Sequence, residues 1–158
     1  MKRTEDHSVI IVNPVSGRGI IPRGAEAIEK LARRLGWSGE ILETTPDFHA
    51  GILSRHAVRA GYEHIVICGG DGSVMEALDA VSGTSVRLGI VPLGTGNLFA
   101  LNLKLPGTLQ AALKVALFGE PHAIDVATAN GTYFGVLTGF GWDAAMIRDA
   151  KRELKDRL

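Results

Sequence analysis

Short β-branched runs alternate with segments of helical spacing through the first 120 residues of this chain, and few folds accommodate that alternation. The run His7 to Val12 carries Val9, Ile10, Ile11 and Val12, apolar on both faces, as expected of a strand covered on both sides in a parallel sheet. Ala25, Ile28, Leu31, Ala32 and Leu35 then recur at helical spacing. Pro22 lies near the start of that helix, Glu26 and Glu29 sit early, Lys30, Arg33 and Arg34 sit late, and Gly36 ends it. Gly39 to Thr44 predicts a second strand, followed by a helix from about Asp47, its N-cap, to Gly61. His64 to Cys68 predicts a third strand, with Val74, Ala77, Leu78 and Val81 on the helix that follows. Val86 to Val91 predicts a fourth, and a short helix comes after Asn97. Leu109, Ala112, Leu113, Ala116 and Leu117 form one more apolar helix face, closed by Gly119. The expected fold is α/β, a doubly wound, mostly parallel sheet with helices on both faces.

Beyond Glu120 the pattern changes. His122 to Ala129 and Thr132 to Thr138 read as two strands joined by Asn130-Gly131, which tolerates the positive φ angles of a type I′ turn. An amphipathic helix follows, with Ile147, Ala150, Leu154 and Leu158 on one face. Residues 1–120 are therefore expected to form one α/β domain, with a boundary near Pro121.

Three loops follow strands of that single sheet: Asn13-Pro14-Val15-Ser16-Gly17, Gly69-Gly70-Asp71-Gly72-Ser73 and Leu93-Gly94-Thr95-Gly96-Asn97. Parallel strands deliver such loops to one carboxyl edge, where doubly wound sheets bind ligands. Glycine lets the backbone come close to a ligand, and the loop at Asp71 also opens a helix whose free N–H groups favour an anion. Phosphate is the natural candidate. No Gly-Lys-Ser/Thr and no Gly-x-Gly-x-x-Gly occurs, which disfavours a conventional P-loop enzyme or an NAD-dependent dehydrogenase. Asp71 is the odd member, since a carboxylate repels phosphate. It fits if it orients a metal or accepts the proton of an attacking hydroxyl. Its structural alternative is an N-cap for the helix from Ser73, and both roles can coexist in different states.

Composition narrows the function classes. Basic and acidic residues balance at 17 each, so nothing global argues for nucleic acid. Cys68 is the only cysteine, which rules out an internal disulfide framework and suits a reducing, cytoplasmic setting. It reads as a buried strand residue rather than a reactive thiol. His7, His49, His56, His64 and His122 form no metal-ligand spacing, and Trp37 and Trp142 read as packing. Lys151, Arg152, Lys155 and Arg157 are interleaved with acids and read as a solvated face. Glycine, at 20 of 158 residues, exceeds the usual share of about 7%.

Asn-Pro-x-Ser-Gly, then Gly-Gly-Asp-Gly, then Leu-Gly-Thr-Gly-Asn, in this order and spacing, resembles the diacylglycerol kinase catalytic domain, a family that includes bacterial soluble lipid kinases and sphingosine kinases. More distantly it is similar to NAD kinases and phosphofructokinases. The resemblance implies ATP lying along the loops, with Gly69, Gly70, Gly72 and Ser73 near its phosphates. Asn13, Ser16 and Gly17 match the first motif, and Gly94, Thr95, Gly96 and Asn97 the third. Thr45 matches a nucleotide-contacting threonine, and Glu76 an acidic residue after the Asp71 loop. Asp71 would be the carboxylate of phosphoryl transfer, and Asp125 matches an acidic position that helps hold magnesium (Mg2+) in bacterial members. Ser73, Met75 and Leu98 depart from the commoner threonine, asparagine and aspartate. Members of the family are longer and carry a C-terminal β-sandwich. By that resemblance residues 121–158 are the start of a truncated second domain.

The implied function is ATP-dependent phosphoryl transfer to a lipid hydroxyl, diacylglycerol- or sphingosine-like, in phospholipid metabolism. Peripheral membrane contact and a homo-oligomer through the exposed hairpin edge are compatible with it. Two alternatives stay open: a truncated or pseudo-kinase module that holds nucleotide without turnover, and an NAD-kinase-like enzyme.

Overall fold

A computed structural model describes residues 7–16 and 24–136. Gly17, Pro22, Trp142 and the predicted C-terminal helix lie outside the described residues. Strand β1 (Ser8–Val12) is followed by α1 (Gly24–Arg34), β2 (Glu40–Glu43), α2 (Ala50–Arg59), β3 (His64–Gly69) and α3 (Asp71–Val81). Next come β4 (Arg87–Pro92), α4 (Leu98–Asn102), α5 (Leu109–Phe118), β5 (Ala127–Ala129) and β6 (Thr132–Phe134). Strands β1 to β4 form a sheet in the order β2-β1-β3-β4, with every pairing parallel.

The unbroken apolar runs of β1 and β3 arise because the sheet is covered on both faces. Alternate residues of each strand enter different cores. Ile10, Val12, Val66, Cys68 and Val91 pack with Ile28 and Ala32 of α1 and with Leu113 and Leu117 of α5. Val9, Ile11, Ile65, Ile67 and Ile90 pack with Ala57 of α2, Val74, Ala77 and Leu78 of α3, and Phe99 of α4. The helices thus cover both faces, as the alternation predicts. Trp37 is buried and its Nε1 donates to Ser8 Oγ at 2.7 Å. Cys68 is completely buried, and burial pushes its thiol pKa far up, so it is a core residue.

Two local expectations are corrected. The helix expected from Asp47 begins at Ala50, with His49 as N-cap, because Thr45 to Phe48 close a turn instead. In that turn Thr45 Oγ1 accepts from Phe48 N at 3.0 Å. The hairpin is also shorter than expected. Asn130 and Gly131 have φ of 51° and 80°, as the type I′ turn needs, but among the described residues only Ala127–Ala129 and Thr132–Phe134 pair, residues 137 and 138 of the expected strand lying outside them. Residues 122–125 are exposed and find no partner strand among the described residues. The hairpin leans on α3, where Tyr133 N donates to Asp79 Oδ1 at 3.0 Å.

His64, buried at the start of β3, has its pKa lowered from 6.5 to about 4. Burial is the main cause and Arg87 adds to it, while a hydrogen bond to the Ala116 backbone opposes. Between those values the unfolded chain binds a proton that the folded chain refuses. The neutral imidazole's contribution is therefore complete above pH 6.5 and is lost as pH falls toward 4. Acidification from pH 7 to 4 should remove about 3 kcal/mol through this residue. Urea midpoints across that range, compared with His64→Gln, check it: the wild type should show the steeper acid loss, and parallel profiles would refute it.

Candidate functional site

The sheet order sets the order of the loops along its carboxyl edge: after β2, after β1, after β3 and after β4. The first and second glycine motifs are tied together by side chains. Asn13 Nδ2 donates to Ser73 Oγ at 2.9 Å, while Asn13 Oδ1 accepts from Val15 N at 3.1 Å. Gly70 N donates to Ser16 Oγ at 3.3 Å. Asn13 and Ser16 thus hold the second glycine loop from its neighbour strand, beside Ser73 and Gly70.

The third motif is closed on itself. Asn97 adopts φ 49°, its Oδ1 accepts from Gly94 N at 2.8 Å, and its Nδ2 donates to Gly94 O at 2.6 Å. Both ends of its amide serve the loop. Gly94 and Gly70 meet backbone to backbone: a Cβ on Gly94 would stand 2.7 Å from Gly70 Cα. Gly69 has a similar packing reason, since a Cβ there would lie 2.8 Å from that of Ser73. Gly72 differs. A Cβ at that position meets nothing within 4 Å, so packing does not demand its missing side chain. Thr95 and Gly96 are exposed at the crest of the third loop.

Asp71 occupies the first position of α3, with Gly70 as N-cap, so it does not cap a helix starting at Ser73. It caps α4 instead. Its Oδ2 accepts from Leu98 N and its Oδ1 from Phe99 N, each at 3.1 Å. Gly96 is close by, since a Cβ there would be 3.2 Å from Asp71 Oδ2. The carboxylate is thereby fixed in one orientation at the junction of the second and third loops. The N-terminus of α3 has no side-chain cap among the described residues, and an uncapped first turn offers its amides to an anion.

A cavity of about 280 Å³ opens beside that helix start, walled by Asn13, Thr45, His49, Ser73 and Glu76 among others. Glu76 Oε2 accepts from Gly51 N at 3.1 Å and lies 2.9 Å from His49 Nδ1, so α3 caps α2 across the cavity wall. The resemblance singles out Thr45 and Glu76, whereas His49, whose side chain is still about half exposed, is weighed in the sequence only as a metal ligand and its place beside Glu76 is missed. The signal was the position of the β2 loop at the same sheet edge; a search for glycine passes over it, because residues 44–49 contain none. A larger hollow of about 500 Å³ runs along α2 by Ile52, Arg55, His56 and Arg59, toward the other end of that helix.

Asp125 is exposed on the segment before β5. Among the described residues, no group of three or more His, Cys, Asp or Glu side chains is placed to hold a metal ion. No described helix is long and apolar enough to cross a membrane.

Residues 7–129 match the diacylglycerol kinase catalytic domain family. A diacylglycerol kinase of Staphylococcus aureus (strain JH9) is 30% identical over 149 residues, covering 92% of this chain and 47% of that protein. A diacylglycerol kinase of Bacillus subtilis (strain 168) is 29% identical over 152 residues, covering 94% of this chain and 50% of that protein. The crystal structure of a diacylglycerol kinase from Bacillus anthracis str. Sterne aligns with a TM-score of 0.68 at 26% identity, over 82% of this chain and 48% of that one. The chain spans about half the length of these relatives.

Proposed function

This chain belongs to the diacylglycerol kinase catalytic domain family, and from that premise we propose that it binds ATP along its glycine loops for phosphoryl transfer to a lipid hydroxyl. The observation that carries the reading is the contact of the Gly70 and Gly94 backbones, which brings the third glycine loop against Asp71 and the uncapped start of α3. Amide donors there suit the nucleotide's phosphates, and the adjoining cavity suits the rest of it.

In the proposed reaction the acceptor's hydroxyl oxygen attacks the γ-phosphorus and the bond to the ADP oxygen breaks. The hydroxyl proton passes to the Asp71 carboxylate, which Leu98 N and Phe99 N hold in place. Catalysis of this type is mostly positioning and charge stabilisation, so a rigid carboxylate and preset amides are what the chain supplies. Magnesium bound with ATP would neutralise phosphate charge. The described residues form no cage for it, so it would rely on phosphate oxygens and water, as such sites commonly do. Asp125 belongs to the proposal as a metal ligand, although it is part of no group of three or more such side chains among the described residues. A membrane-dissolved acceptor places the reaction at a bilayer surface, so peripheral membrane contact belongs to this reading. Self-association would use the exposed strand β5.

The test is transfer of labelled γ-phosphate from ATP to lipid extracted from vesicles containing diacylglycerol or sphingosine. Magnesium-dependent label in one lipid is expected. Label in neither, from folded protein that binds ATP, would contradict transfer and leave only nucleotide holding.

A further inference from the structure

Glu76 and His49 form a pair that phosphoryl transfer does not use, yet both face the cavity. Ser73 and Glu76 lie three residues apart on α3, on the same side of the helix. Ser73 belongs to the turn offered to phosphate, and Glu76 stands one turn farther along. A carboxylate there cannot accept phosphate, because it only accepts hydrogen bonds and carries the same charge. Its ligand must be a donor. For a nucleotide whose phosphates lie at the start of α3, the donors one helical turn away are the ribose hydroxyls.

The pair is arranged to present one carboxylate oxygen. Oε2 is taken by Gly51 N and His49 Nδ1, while Oε1 makes no hydrogen bond among the described residues. Because the carboxylate only accepts, His49 carries its proton on Nδ1 in this contact. Gly51 allows the close approach this requires: a Cβ there would lie 3.3 Å from both Glu76 Cβ and His49 Cε1. With one backbone donor and one side-chain donor on the same oxygen, Oε2 is anchored, and Oε1 of this partly exposed, cavity-lining side chain is left for another donor.

We infer that His49 is a positioning residue that holds Glu76 to read the ribose hydroxyls, making the site selective for ribonucleotides over deoxyribonucleotides. The inference rests on the ATP reading above. It adds a specificity that amides of the glycine loops cannot supply, since amides on phosphate do not sense the sugar.

The test compares dissociation constants of ATP, 2′-deoxyATP and 3′-deoxyATP for the wild type, His49→Ala and His49→Gln, with thermal midpoints recorded for each. A hydrogen bond to a charged group corresponds to a preference of roughly tenfold or more for ATP over at least one deoxy analogue in the wild type. His49→Ala should weaken ATP about five- to tenfold and the disfavoured analogue much less, so that the preference collapses. His49→Gln, which keeps a donor, should recover part of it. The side chain of His49 is about half exposed, at 46%, so the midpoints should barely move. An unchanged preference in folded His49→Ala, or no preference in the wild type, overturns the inference while leaving ATP binding intact. Absence of all nucleotide binding to the folded wild type would overturn the ATP reading itself.

Discussion

Replacing Asp71 with asparagine is expected to lower phosphoryl transfer by about 10²- to 10⁴-fold, the range for losing a positioned general base. ATP affinity should change little, and removal of a negative charge beside the phosphates works in its favour. The geometry also predicts a structural cost. Asp71 gives one oxygen to Leu98 N and the other to Phe99 N, whereas an asparagine has one oxygen and an NH2 group that would face an N–H. One amide of α4 then goes unpaired, at about 1 kcal/mol. Steady-state rates, ATP titration and urea denaturation on the same preparation separate these effects. If ATP binding and turnover fall together in step with stability, Asp71 is only a clasp between α3 and α4.

The glycines divide into two kinds, and substituting one of each should give opposite results. Gly94→Ala forces a methyl group to within 2.7 Å of Gly70 Cα and 2.9 Å of Asn97 Oδ1. Backbone cannot yield as a flexible side chain does, so the loops must separate, with an expected loss of about 2–3 kcal/mol. Gly72→Val meets open space, and its backbone has no positive φ, so the fold should keep nearly its full stability. The new side chain would occupy the space where phosphate approaches the α3 amides, weakening ATP by about tenfold or more. Thermal melts and ATP titrations of both variants check this. A stable Gly72→Val with wild-type affinity would show that phosphate does not lie against that turn.

Most of the fold was legible because a parallel sheet writes its own pattern. Val9 to Val12 and Ile65 to Cys68 are apolar at every position, since odd residues feed one core and even residues the other. The start of α2 was not legible. Asp47 is a good N-cap by type, but Thr45 closes a turn with Phe48, and the capping acceptor is Glu76, distant in sequence. The hairpin turn could be read from Asn130-Gly131, whereas the length of its strands depends on partners and not on local pattern. Within the proposed site, the glycine motifs marked the loops that the parallel sheet brings together at one edge, with Asp71 among them. Periodicity could not show that Asp71 caps α4, that Asn97 spends its amide on Gly94, or that His49 meets Glu76. Each of these is a contact between segments whose chain order says nothing about their approach, or a bond that depends on an unusual φ.

The most direct test of the central claim is calorimetric titration of the folded chain with ATP, with and without magnesium and with NAD as competitor. The proposed site predicts saturable binding of one ATP, strengthened by magnesium and not displaced by NAD. A folded chain that binds no ATP, or that yields it to NAD, would contradict the assignment of the Gly70–Gly94 junction as an ATP phosphate site.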